Sequence, residues 1–220
     1  MVRLFPLIFV FLWSSAFISS KIIVDDASPF ASLGFRFAIV ALGFYLFSII
    51  RRERFSGTRP DILSACATGV LFHGLYLGGV FFAISKGLPA GIAALIVSLQ
   101  PVLTGALAGP ILNEVVTWRQ WAGICLGFAG AALVLGFDIG GSLPVIGVVA
   151  SIIALAAVTI GTLWQKKVSG KLPLSVSNCY QAVGAAVFHC VVMLLLEEPF
   201  INFTASFIFS MGWQIVMVSF

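Results

Sequence analysis

Charge is scarce in this 220-residue chain: 8 acidic and 12 basic residues make up 9 % of it, against 60 % hydrophobic residues. The mean hydropathy is +1.14. A soluble domain has about a quarter charged residues, so water is excluded as the solvent for most of this surface and the chain belongs in a bilayer. The net charge of +4 does not indicate nucleic acid, because Lys and Arg sit in short clusters between apolar runs with no polar domain around them. There are 2 histidines and 4 cysteines, with no CxxC spacing and no His at metal-ligand distance from a Cys, so no metal centre or cofactor is expected. Cys66, Cys125, Cys179 and Cys190 read as small buried hydrophobes. HExxH, GxSxG and paired-Asp motifs are lacking, which speaks against an intramembrane enzyme. His73 and His189 fall in different apolar segments, and nothing in the sequence brings them together.

What the chain has in quantity is apolar runs of spanning length. They cover about Leu4 to Val24, Pro29 to Ile50, Ile62 to Ser85, Pro89 to Leu112, Trp118 to Phe137, Leu143 to Trp164, Leu174 to Leu196, and Thr204 onward. Short connections such as "DDASP", "KGLP" and "SGKLP" separate them. The first run is too long for a signal-peptide core and reads as an uncleaved helix. The expected class is an all-α, polytopic helical membrane protein with seven spans and the start of an eighth. Arg3, Arg51, Arg52, Arg54, Arg59, Arg119, Lys166, Lys167 and Lys171 fall on one side. Lys21, Lys86, Asp25, Asp26, Asp138, Glu197 and Glu198 fall on the other. By the positive-inside rule the amino terminus is cytoplasmic.

Sliding the chain against itself by 145 positions sets Lys21 on Lys166, Ser32 on Ser177, Phe35 on Tyr180 and Arg36 on Gln181, with Pro29 and Pro173 one place apart. The loop is acidic in the first copy and basic in the second, the switch required if the second copy starts on the opposite side of the membrane. Five helices per unit then give an inverted repeat of five-helix units. The first unit is 1–137, and the second, 138–220, is incomplete, cut in about the eighth helix of a ten-helix plan. Such a plan places a solute site at mid-membrane between the units.

"FLWSSAFISSKI" followed by "LGFRFAIVAL", then "GLPAGIAALIVSLQPVLTGALAGPILNEVVTWRQWAGICLGFAGAALVLG", resembles the EamA-type domain of the drug/metabolite transporter superfamily. Trp13 to Phe17, Lys21, Arg36, Phe37, Pro101, Glu114 and Gly123 to Gly130 carry the resemblance. It implies a ten-helix exporter of small metabolites, often amino acids or amphipathic compounds, in the bacterial inner membrane with both termini cytoplasmic. Its partners are then a small-molecule substrate and the lipid bilayer. No Asp or Glu lies deep in a span, so a carboxylate proton or sodium relay is not expected here. Efflux is expected to be facilitated or weakly proton-coupled. A non-catalytic membrane scaffold is the alternative reading, and an intramembrane enzyme a weaker one.

Candidate pathway residues follow from polar groups within spans. Pro101 frees the Val97 carbonyl and kinks its helix; Ser98, Gln100, Pro101 and Thr104 share a broad face and border a hydrated pathway, or else bond neighbouring helices. Arg36 lies about seven residues into its span, roughly 10 Å at ~1.5 Å per residue; it either snorkels outward or anchors a substrate carboxylate through its guanidinium fork. His73 and Tyr76 share a face, for substrate contact, protonation or interhelical bonding. Trp13, Ser14, Ser15, Phe17 and Trp164 occupy matching helices of the two units and form an amphipathic wall, unless the tryptophans are interfacial; Gln181, which the offset sets on Arg36, is a further pathway candidate. Gly123, Gly127 and Gly130 form a packing stripe, within the unit or between two copies in a homodimer. Glu114 and Arg119 order a loop.

Overall fold

The computed structural model describes residues 5–55, 57–112, 117–137, 143–168 and 170–219. Backbone groups in lipid must bond within their own segment, and the described chain is accordingly a series of helices. They are α1 (Phe5–Asp26), α2 (Pro29–Ile50), α3 (Arg59–Ser85), α4 in two pieces (Ala90–Val97 and Gln100–Leu112), α5 (Trp118–Phe137), α6 (Val145–Val168), α7 (Leu174–Leu196) and α8 (Ala205–Ser219). Among the described residues five stretches are long and apolar enough to cross a bilayer: Pro29–Ile50, Arg59–Ser85, Ala90–Leu107, Val145–Lys167 and Leu174–Leu196. The chain is thus a polytopic helical membrane protein. Each of the seven expected spans, and the start of the eighth, is occupied by helix among the described residues. Glu114 and Asp138 lie outside the described residues.

Local chemistry sets the boundaries. Pro29 opens α2 directly after Ser28, where its missing N–H costs nothing. The Asp61 carboxylate accepts from the Thr58 N–H at 3.3 Å and the Thr58 hydroxyl at 2.6 Å, fixing the first turn of α3. Gly87 (φ +89°) and Gly170 (φ +88°) supply the left-handed residue in the turns before α4 and α7. Each is soon followed by a proline, Pro89 or Pro173, that starts the next helix.

Helices α2 and α7 lie side by side and antiparallel. Glu197, just past α7, reaches the first amides of α2; Gly34 packs on Cys190; Cys179 donates to the Ala41 carbonyl; Glu53 beyond α2 bonds Ser175 at the start of α7. The basic clusters 51–54 and 166–171 therefore share one end of the bundle, where Lys171 also pairs with Asp61 at 3.4 Å. At the other end the α1–α2 and α7–α8 turns join in an antiparallel bridge, Ala27 with Ile201. Helix α6 lies against α3 at glycines: Gly161 meets Leu71 and Phe72, and Gly79 faces the Ala150 carbonyl. One apolar cluster joins α1, α3, α4 and α6 around Phe17, Val80, Ile96 and Leu155. A second joins α1, α2, α3, α7 and α8 around Ile23, Phe37, Phe81 and Phe207.

One expectation is corrected here. Cys125 and Cys190 are exposed and Cys66 half-buried; only Cys179 is buried. In lipid an apolar thiol gains nothing by turning inward, since the outer face is apolar too, as Leu126, Leu133, Leu194 and Leu195 illustrate. In the glycine stripe, a Cβ on Gly123 or Gly130 would meet nothing within 4 Å among the described residues, and one on Gly127 would just reach Val102.

Candidate functional site

The helix carrying "SLQPVLT" is broken at Ser98 and Leu99, between the two pieces of α4. Pro101 cannot donate, and the break places Ser98, Gln100 and Pro101 on the wall of a cavity of about 620 Å³. The Gln100 side-chain amide donates to Thr162 of α6 at 3.0 Å and to Thr104 at 3.4 Å. It therefore ties two helices together and lines the cavity at once.

Helices from both parts of the chain form the walls: Trp13, Phe17 and Ser20 of α1, Arg36 and Phe37 of α2, Phe72, His73 and Tyr76 of α3, Val158 and Gln165 of α6, Asn178 and Gln181 of α7, and Gln214 and Ser219 of α8. The end formed by Phe17, Ser20, Val80 and Phe81 is buried. It lies beneath the bridged turns. Val10, Phe44, Gln165 and Asn178 carry the cavity toward the end with the basic clusters.

Arg36 does not snorkel. Only 3 % of it is exposed, and its guanidinium turns inward onto one turn of α8. It donates to Gln214 Oε1 at 2.5 Å, to the Gln214 carbonyl at 3.3 Å, and to Ser219 Oγ at 2.9 and 3.2 Å. Ser219 reaches the same face as Gln214 because this stretch of α8, Gln214–Ser219, is a π-helix, whose wider turn sets residues five apart nearly in line. Gln214 is fully buried; its amide nitrogen donates to the Ala16 carbonyl, Ser19 and Ser20 of α1 at 2.9–3.1 Å. One glutamine thus links α8 to both α1 and α2.

A second π-helix, Val70–Leu77, holds His73 and Tyr76 in α3. The Phe37 ring lies 4.8 Å from that of His73 and 5.8 Å from that of His189. His189 Nε2 donates to the His73 carbonyl at 2.9 Å. The two histidines are therefore neighbours, correcting the expectation that nothing brings them together. Nε2 carries the proton, because a carbonyl can only accept. Their contact runs through backbone, so it is a helix–helix tie and forms no dyad.

Of the residues singled out in the sequence, Trp13, Phe17, Arg36, His73, Tyr76, Ser98, Gln100, Pro101 and Gln181 line the cavity. Thr104 stands beside it through Gln100. Ser14 is exposed, Ser15 accepts from Trp213 Nε1 at 2.9 Å, and Trp164 is on the outer surface, donating to Ser64 at 3.1 Å. Gln165, Asn178, Gln214 and Ser219 were missed. Gln214 stood out by the criterion that selected Gln100, an amide within the apolar run "MGWQIVMVSF".

Residues 2–136 match the model of the EamA-like transporter family. The chain belongs to this family. As an EamA-like protein it is a membrane transporter rather than an enzyme, within the drug/metabolite transporter superfamily. It is 27 % identical to the uncharacterized transporter YvbV of Bacillus subtilis, over 94 % of this chain and 70 % of that protein. An S-adenosylmethionine/S-adenosylhomocysteine transporter of Chlamydia muridarum is 31 % identical over 58 % of this chain and 40 % of its own length. The inner membrane transporter YedA of Escherichia coli K12 is 30 % identical over 54 % and 38 %. The chain thus spans about two-fifths of the last two.

Proposed function

We propose that this EamA-like protein exports small organic metabolites, amino acids or amphipathic compounds, from the cytoplasm by alternating access, facilitated or weakly coupled to protons. The observation that carries this is the cavity, lined by residues of α1–α4 and of α6–α8, with a buried guanidinium and amides set among aromatic rings. Ligand sites are commonly built this way, as largely apolar hollows with a few convergent polar groups. The naming of the Chlamydia relative as an S-adenosylmethionine/S-adenosylhomocysteine transporter makes compounds bearing an amino-acid moiety natural first candidates.

The inverted repeat, with units 1–137 and 138–220, is part of the same reading. The 145-residue offset that aligned the sequence carries the start of α2 onto that of α7, Pro29 to Leu174. It also carries the π-helix at Val70 to within one residue of that at Gln214. Antiparallel α2 and α7 are what such a repeat requires. Both basic clusters at one end favour a cytoplasmic amino terminus by the positive-inside rule; the bridged turns then face outward and hold the outer gate shut. An inner (plasma) membrane location is supported by the naming of YedA as an inner membrane transporter.

A cross-link tests the mechanism. Paired residues of an antiparallel bridge have Cα atoms about 4.5–5.5 Å apart, within disulfide reach. Ala27→Cys with Ile201→Cys, in a background without the native cysteines, is oxidised and solute efflux from proteoliposomes is followed for amino acids, purines and amphipathic compounds. Oxidation should arrest efflux and reductant restore it. Undiminished efflux by the cross-linked protein would refute a gate at this end.

A further inference from the structure

We propose that the cavity is charge-selective: it takes organic anions whose carboxylate seats on Arg36 and whose aromatic or apolar body lies against Trp13, Phe37 and Tyr76, and it rejects cations of the same shape. This rests on the transport reading above and goes beyond it by fixing the charge of the substrate.

Arg36 is a buried cation whose partners, the Gln214 side chain and carbonyl and the Ser219 hydroxyl, are all neutral. Among the described residues no Asp or Glu lines the cavity. The carboxylates that bond other groups do so at the two ends of the bundle: Asp25 with Lys21, Asp26 with Thr204 and Ser206, Glu197 with the start of α2, Glu53 with Ser175, and Asp61 with Thr58 and Lys171. Among the described residues no carboxylate compensates the positive charge in the cavity. Desolvated guanidinium is costly without an anion, and its planar fork suits a carboxylate. A second cation about 6 Å away, at an effective dielectric constant near 20, is disfavoured by about 100-fold.

The other polar groups cannot reverse this preference. Gln165 and Asn178 line the cavity, and neutral amides can accept from an ammonium group without cancelling its charge. A zwitterion is thus tolerated, ranking between anion and cation. The aromatic lining, with Phe37 under Arg36 at 5.3 Å, favours a flat body beside the carboxylate.

The test uses three compounds with one ring: phenylpropionate, phenylalanine and phenethylamine, at neutral pH. Binding to the purified protein is read by ligand-induced thermal stabilisation, and flux is read in proteoliposomes. Phenylpropionate should bind about 10-fold more tightly than phenylalanine and at least 100-fold more tightly than phenethylamine, and Arg36→Gln should compress the series to within a few-fold. Should Arg36→Gln not fold, the order in the wild type decides alone. Phenethylamine binding as well as phenylpropionate, or no binding by any of the three, overturns the proposal. Binding in the expected order without flux upholds charge selection and sinks the transport reading; flux with no charge order does the reverse.

Discussion

A methyl group on Gly69 should separate two helices. A Cβ built there would lie 2.0 Å from the Gln181 carbonyl oxygen and 2.6 Å from its carbonyl carbon. Both obstacles are backbone, which no rotamer change can move. To bring the oxygen even to 3.0 Å, α3 and α7 must part by at least about 1 Å at this point, opening a seam that also closes at Gly184, where a Cβ would sit 2.5 Å from the Cys66 carbonyl oxygen. Overpacking of this kind costs ~1–3 kcal/mol; at roughly 2–4 °C per kcal/mol for a chain of this size, Gly69→Ala should lower Tm in detergent by several degrees. Gly130→Ala is the matched control, since nothing among the described residues lies within 4 Å of its Cβ and alanine favours the helix by up to ~1 kcal/mol. Thermal unfolding of both variants checks the pair. A Gly69→Ala protein as stable as the wild type would mean that α3 and α7 do not touch here, and the two-sided cavity would lose one of its walls.

Two further outcomes follow from buried polar groups. Glu197 caps α2 through the Phe30 and Ala31 amides at 3.1–3.3 Å, yet burial pushes its carboxyl above the usual range, against those amides and Lys86. The raised folded value contributes stability that is full below the unfolded pKa and lost as pH rises through the folded one. The Tm difference between wild type and Glu197→Gln should fall across that window, and a pH-independent difference would contradict it. Gln214→Leu strips Arg36 of its closest acceptor and should cost ~2–4 kcal/mol. Arg36→Met combined with Gln214→Leu should recover part of that loss in chemical unfolding, whereas strict additivity of the two would deny the pairing.

How legible these features were in the sequence depended on the range of the interaction behind them. Helix boundaries such as Pro29–Ile50 and Leu174–Leu196 could be read because span length, a leading proline and flanking charge are local. The break at Ser98 and Leu99 was equally local, following from Pro101 three residues on. The partners were not: Gln100 needed Thr162, and Arg36 needed Gln214 and Ser219, across 62 and 178–183 positions of chain. The π-helices were hidden as well, since "VLFHGLYL" has no residue that forbids an ordinary α-turn. The cysteine reading failed for a different reason: it carried a rule for water into a solvent where apolar groups face outward at no cost.

On the proposed repeat, the 145-residue offset pairs Arg36 with Gln181 and Gly69 with Gln214, so that equivalent positions would meet twice with different chemistry. At α2 and α8 a long cation meets a long amide, holding the helices apart around a polar seam. At α7 and α3 the amide's counterpart is glycine, and the Gln181 carbonyl comes down onto bare backbone. A symmetric rocking motion would have each seam take the other's form. Gly69, with no side chain, cannot reproduce the grip of Gln214, so exchange would strand Arg36 unless another acceptor, such as a bound carboxylate, took it. Under the proposed alternating access, occupancy of Arg36 and movement of α8 would be linked by the same hydrogen bonds.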